Sequence, residues 1–232
     1  MEDQNSMGFM DPCDLRYTKH NELDSDFCDS VIDKFDSDET KSSSTILVKD
    51  IVDGQIQAKN TVDTYTRNST SLHISGLDNW EEENEVFRQS ISKNLIEYNN
   101  MCGDTGKGIG LTPLDSYMDI GYEIIRYGKD GFYQWHNDYD VNFYYGINSL
   151  WFTWHLNTLK SSAGGQIEFL DGTKIVPQQG KLTISPVHWT YSSRVKKVLT
   201  NRSSYIVSAF LYARPALPPD DSQTGTSPKQ ND

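Results

Sequence analysis

From Gly121 onward the chain is a succession of short apolar and aromatic runs, each closed by a turn signal. Gly128-Lys129-Asp130-Gly131, Gly164-Gly165, Asp171-Gly172 and Gln179-Gly180 supply the breaks, and glycine-rich steps of this kind stop a strand and turn the chain. A parallel α/β sheet needs a crossover helix between successive strands. Short strands with almost no helical pattern between them instead pair antiparallel, into a sandwich or jelly roll. Any helices formed upstream must then lie against the outside of a sheet.

The upstream half supplies two such helices. Behind a candidate N-cap at Asp24, Phe27, Cys28, Val31, Ile32 and Phe35 recur at helical spacing, which predicts a helix over 24–36. Asp78 and Glu81 have capping-box spacing ahead of the stripe Phe87, Ile91, Leu95, which predicts a second helix over 79–98. Two strand-like pieces lie between them, Thr45–Val48 and the stretch around Leu72-His73-Ile74. A lone histidine in an alternating strand reads as a surface residue, so His73 receives no metal. Residues 1–20 and 215–232 are polar or Pro/Ser-rich, and disorder is expected there. The glycine-rich stretch 103–110 reads as a loop, because Gly108 follows Gly106-Lys107 where a phosphate-binding loop needs Ser or Thr. The 232 residues thus suggest one mostly β domain over 21–214, with N-terminal helices and a β core over 119–214.

The chemistry-bearing signal is His136-Asn137-Asp138. Residues two apart on an extended strand point to the same side, so one imidazole and one carboxylate would aim at a common point. These are two arms of a 2-His-1-carboxylate facial triad, which holds Fe(II) on one face and leaves the other face open.

The residues around this pair carry a family resemblance. Tyr127-Gly128, Gly131-Phe132-Tyr133 and Trp135-His136-x-Asp138 look like the first metal-binding strand of prolyl-4-hydroxylase-like Fe(II)/2-oxoglutarate-dependent oxygenases. His155-Leu156-Asn157 stands where that family has Tyr-Leu-Asn, and Gly164-Gly165-Gln166-Ile167-Glu168-Phe169 resembles its Gly-Gly-x-Thr-x-Phe. Pro177, Gly180, Pro186, Trp189-Thr190 and Arg194 follow in the family's order, and the match covers residues 120–213.

The resemblance implies a double-stranded β-helix core, of the jelly-roll or cupin-like kind. It also implies Fe(II), 2-oxoglutarate as cosubstrate, ascorbate as a further cofactor, and hydroxylation of a peptidyl or amino-acid side chain such as proline. Carried over residue by residue, it makes His136 and Asp138 metal ligands and catalytic residues. Tyr127, Arg202 and Ser204 become cosubstrate-binding residues. The family's third ligand is a histidine directly before an arginine, and Ser193 stands there, so the third ligand falls to the Ser193 position or to His188. His155 is a weaker candidate. If the register follows Tyr205 instead, Ser204 takes the place of the family's basic residue. Tyr133, Trp135, Tyr139, Trp151 and Trp154 are candidates for the substrate side. Two alternatives stay open: a catalytically silent binding module on the same fold, and a cupin-like protein using another metal without 2-oxoglutarate.

The net charge of -12 argues against nucleic acid as the main partner, and no apolar run has the length of a membrane span. Three cysteines, Cys13, Cys28 and Cys102, lack metal-site spacing and point to a reducing, cytoplasmic location. A small molecule or peptide is the expected partner, and the oligomeric state is left open.

Overall fold

The computed structural model of the protein describes residues 14–53, 55–104, 117–142 and 145–213. Its strands are β1 Tyr17–Lys19, β2 Ser42–Ser43, β3 Ile46–Val52, β4 Gln55–Thr61, β5 Arg67–Asn68, β6 Thr70–His73, β7 Tyr117–Tyr127 and β8 Phe132–His136. They continue as β9 Val141–Asn142, β10 Gly146–His155, β11 Ile167–Phe169, β12 Lys174–Ile175, β13 Lys181–Pro186, β14 Ser193–Val195 and β15 Ser204–Ala213. The helices are α1 Ser25–Ser37 and α2 Glu81–Asp104.

Every strand pairing among the described residues is antiparallel. The large sheet runs β1-β13-β10-β15-β7-β6-β2 with β9 against β10, and the small sheet runs β12-β11-β14-β8-β5. Strands β3 and β4 form a separate hairpin. Two facing antiparallel sheets of this kind are the jelly-roll core that the turn-punctuated pattern requires.

Alternation along the central strands places the two cores. On β10, Phe152 and Trp154 face the helices while Trp151 faces the small sheet; on β15, Val207 and Ala209 face the helices while Ile206 turns inward. The helix side is filled by the stripes of α1 (Cys28, Val31, Phe35) and α2 (Phe87, Ile91, Leu95, Tyr98), all buried. The Phe87 ring lies 5.2 Å from Trp154 and 5.6 Å from Tyr122, so the expected brace is an aromatic contact as well as an apolar one. The inner core joins Ile125, Tyr127, Trp151 and Ile206 to Ile167, Phe169 and Val195 of the small sheet.

Asp24 caps α1 as expected, accepting from the backbone N–H groups of Asp26 and Phe27 at 3.0 and 3.1 Å. The Asp78–Glu81 capping box does not form. Residues Asp78–Trp80 are a 3₁₀ turn preceded by Leu77, with no side-chain cap, and α2 runs on from Glu81 to Asp104. Acidic Glu81, Glu82 and Glu83 in its first turn complement the helix dipole instead. Residues 14–20 of the N-terminal segment, where disorder is expected from sequence, are structured: β1 completes the ladder at the β13 edge and Arg16 hydrogen-bonds Asp14 and Asp171. The remainder of that segment, Cys13, most of the glycine-rich stretch and the 215–232 tail lie outside the described residues. Cys28 and Cys102 are buried free thiols.

Candidate active site

His136 closes β8, and Asp138 follows as the chain leaves the small sheet. The two side chains meet with His136 Nε2 at 3.4 Å from Asp138 Oδ2. His136 Nδ1 lies 2.8 Å from the Gln134 carbonyl oxygen, which can only accept. In the neutral imidazole the proton therefore sits on Nδ1, and the Nε2 lone pair is directed at the carboxylate. Two lone-pair donors with no proton between them suit a cation. Neighbours fix the geometry: the Tyr133 ring stacks on His136 at 3.5 Å between centroids, and Asn148 Nδ2 donates to the Asp138 carbonyl at 2.9 Å.

Behind the pair a cavity opens between the sheets, lined among others by Arg67, Tyr127, Tyr133, Trp151 and Ser208. Burial holds the Tyr127 hydroxyl protonated well above its ordinary range and pushes Tyr133 up to about 12, so both phenols are neutral donors. Trp151 Nε1 donates to Ser208 Oγ at 2.8 Å and fixes that wall. Arg67 is a lining residue that motif reading missed. It is almost fully buried, donates to Ser69 Oγ and the Thr45 carbonyl at 3.1 Å each, and sits 3.6 Å from Glu123. The signal that could have found it is an arginine in a two-residue strand next to sequence that pairs with the H-x-D strand.

Ser193 lies directly opposite His136 in the β14–β8 ladder and is buried. The position expected for the third ligand is therefore beside the pair, with a hydroxymethyl group there. His188 is exposed before the turn at Trp189–Tyr191, its ring lies against Tyr139 and Trp189, and its carbonyl accepts from Asn137 Nδ2 at 2.7 Å. β15 begins only at Ser204, so Arg202 is exposed in the preceding turn and is not among the residues that line the cavity. Ser204 and Tyr127 are cross-strand partners, and Ser204 is fully buried. Among the aromatics, Tyr133 and Trp151 line the cavity and Tyr139 the groove outside it. Trp154 belongs to the helix-side core, and Trp135 is on the outer face under the Arg194 guanidinium.

The donor set fits Fe(II) in part. His136 and Asp138 can fill two positions, while a neutral serine hydroxyl is a poor third ligand. Among the described residues no group of three His, Cys, Asp or Glu side chains converges. For 2-oxoglutarate, Tyr127 offers a donor at the cavity wall, and β15 begins with a serine rather than a cation.

No protein-family model matches the sequence, and no curated protein matches it. Solved structures do. The viral collagen prolyl hydroxylase of Paramecium bursaria Chlorella virus-1, in its 2-oxoglutarate complex, aligns at TM-score 0.55 and 15% identity over 87% of this chain and 98% of that one. A Pseudomonas putida prolyl-4-hydroxylase aligns at TM-score 0.58 and 15% identity over 87% and 94%. A Trichoplax adhaerens prolyl hydroxylase, in complex with a hypoxia-inducible-factor peptide fragment, aligns at 0.56 and 15% over 87% and 84%. The chain thus has the double-stranded β-helix fold of the prolyl-4-hydroxylase-like 2-oxoglutarate oxygenases.

Proposed function

We propose that this protein is a metal-dependent oxygenase of the Fe(II)/2-oxoglutarate class, acting on a peptidyl or amino-acid side chain. The observation that carries the reading is the pairing of His136 Nε2 with Asp138 Oδ2 at 3.4 Å at the mouth of an inter-sheet cavity. Bound Fe(II) and 2-oxoglutarate would supply the oxidising chemistry. The chain's own part is positioning. The Gln134 carbonyl and the Tyr133 ring hold the imidazole, and Asn148 holds the backbone that carries the carboxylate. Tyr127 presents a neutral hydroxyl to the cavity, and Trp151 with Ile206 keeps its inner wall apolar. Substrate would enter through the groove lined by Tyr133, Tyr139, Phe210 and Tyr212, whose aromatic faces suit a side chain presented by a peptide.

A second reading, a silent binding protein on the same fold, is favoured by Ser193 opposite His136 and by the exposure of Arg202. Anaerobic titration with Fe(II) and 2-oxoglutarate separates the two. A visible charge-transfer band, lost in Asp138→Ala, supports the oxygenase. A folded protein without the band gives the binding reading the lead.

A further inference from the structure

Charge is segregated along this chain. Between Val141 and Ala213 there are seven Lys or Arg and two Asp or Glu, whereas the whole sequence has 21 and 33. Much of the acid lies on the helices, where α1 carries Asp26, Asp29, Asp33 and Asp36 and the first turn of α2 carries Glu81, Glu82 and Glu83. The helices cover one face of the large sheet and the small sheet covers the other. The outer face of the small sheet is therefore on the side of the molecule opposite the acidic helices.

That face is cationic. On β14, Ser193 and Val195 are buried toward the cavity, so alternation points Arg194 and Lys196 outward. Glu168 of β11 is the cross-strand partner of Arg194, and Lys174 of β12 is that of Glu168. Arg194 Nε donates to the Glu168 carboxylate at 2.7 Å, and Lys174 Nζ lies 3.4 Å from it. The Arg194 hydrogen bond, aided by the charges of Lys174 and Lys196, holds the Glu168 carboxyl below the ordinary carboxylate range. One carboxylate thus serves three cations, and Lys197 adds a fourth, 3.8 Å from exposed Asp130. Aromatic rings steady two of the four: Arg194 lies 4.7 Å over Trp135 and Lys197 5.9 Å over Phe132. Next to them Trp135 and Leu170 are 41% and 60% exposed, so apolar surface adjoins the positive charge. A recess of about 340 Å³ opens between Phe132 and the Lys196–Lys197 pair.

We propose that the outer face of the small sheet is a docking surface for an acidic peptide segment of a partner protein, with Lys174, Arg194, Lys196 and Lys197 meeting its carboxylates and Trp135 and Leu170 its apolar side chains. The surplus of cations over carboxylates calls for an anionic partner. Glu168 and Asp130 decide which kind. A peptide alternates carboxylates with neutral residues and passes a fixed negative charge without a clash, whereas a nucleic-acid strand brings a phosphate at every step. Charge complementarity of this sort sets partner choice and association rate. The inference is independent of the proposed reaction, because β14 lines the cavity through inward Val195 and not through Arg194 or Lys196.

The test uses the full chain and fluorescence anisotropy, with the labelled peptide Glu-Glu-Leu-Glu-Glu-Leu-Glu-Glu as probe and the same peptide with Gln for every Glu as control. The acidic peptide is expected to bind, and to bind more weakly as salt rises; the Gln peptide is expected not to bind. Lys196→Gln combined with Lys197→Gln keeps the backbone ladder and removes two charges. It is expected to melt with wild type and to weaken the acidic peptide about tenfold or more. Lys174→Gln on the edge strand is the second variant, with a several-fold loss expected, and Arg88→Gln, exposed on α2, is expected to match wild type. A wild-type protein that ignores the acidic peptide overturns the proposal, and so does equal affinity in the folded lysine variants. A thymidine oligonucleotide and phosphatidylserine vesicles serve as competitors. If either displaces the peptide at a lower concentration of charge than unlabelled peptide does, the face is a phosphate surface and the peptide assignment is overturned.

Discussion

Ser193 and His136 face each other across the β14–β8 ladder, so an imidazole at position 193 would enter the space beside His136 Nε2 and Asp138 Oδ2. Supplying a third nitrogen donor on the same face converts a two-point contact into a facial triad. Ser193→His is therefore expected to tighten Mn(II) or Fe(II) binding by about tenfold or more, roughly 1.4 kcal/mol, read by Mn(II) electron paramagnetic resonance. Unchanged affinity would mean that position 193 does not look at the metal. Asp138→Ala removes the only charged arm, and metal binding should then fall below detection; retained binding in that variant would remove the pair from the site. His136 and Asp138 were legible in sequence from the H-x-D spacing, although β8 ends at His136 and the coil that follows, not strand alternation, brings Asp138 to it. Lys181 was not. A lysine directly after Gly180 reads as a solvated strand start, and only the sheet register turns it inward opposite His155. Arg202 is the complementary case: the expected strand face begins at Ser204, so Arg202 sits two residues before it, in the turn.

Elements here are held by their junctions as much as by their faces. Gly164 has φ +81°, and a Cβ built on it would come 1.9 Å from the Lys197 carbonyl oxygen, which is backbone and cannot swing aside. Gly164→Ala combines left-handed strain with this clash and should cost about 2 kcal/mol or more. Because the same junction leads into β11 and packs beside the β14–β15 connection, thermal unfolding of the variant should drop by several degrees; an unchanged Tm would show that the loop simply moves. At the other end of the scale, Asp24→Ala removes two cap bonds from α1 and should cost about 1 kcal/mol with little change in ligand binding, since α1 packs on the face of the sheet away from the cavity. The helices and most strands were readable from periodicity and turn residues. The missing parts share one cause: β1, β4 and the two-residue β5 are short or polar, and each exists because another strand supplies its ladder partners, β13 for β1, β3 for β4 and β8 for β5. Arg67 rides on one of them, which is why a principal wall of the cavity left no trace in the pattern.

For the molecule as a whole, burying a neutral histidine beside a lone lysine makes stability depend on pH. Burial, reinforced by the Lys181 charge, lowers the His155 pKa from 6.5 to about 3. As pH falls below 6.5 the unfolded chain takes up a proton on this ring and the folded protein does not. Stability is then full above the unfolded pKa and declines toward the folded one, at up to about 1.4 kcal/mol per pH unit. Carboxylates held low by their partners, such as Asp171 at about 2 beside Arg16, add their own losses only at lower pH, below roughly 4. Between pH 6.5 and 5 the contribution of His155, whose facing charged neighbour is Lys181, is read as the difference between wild type and a His155 variant. Urea unfolding across that window should show wild type losing about 2 kcal/mol and His155→Gln losing far less; parallel slopes would mean the ring is not buried neutral. The pH dependence of the whole fold then reports on the protonation of one buried ring inside it.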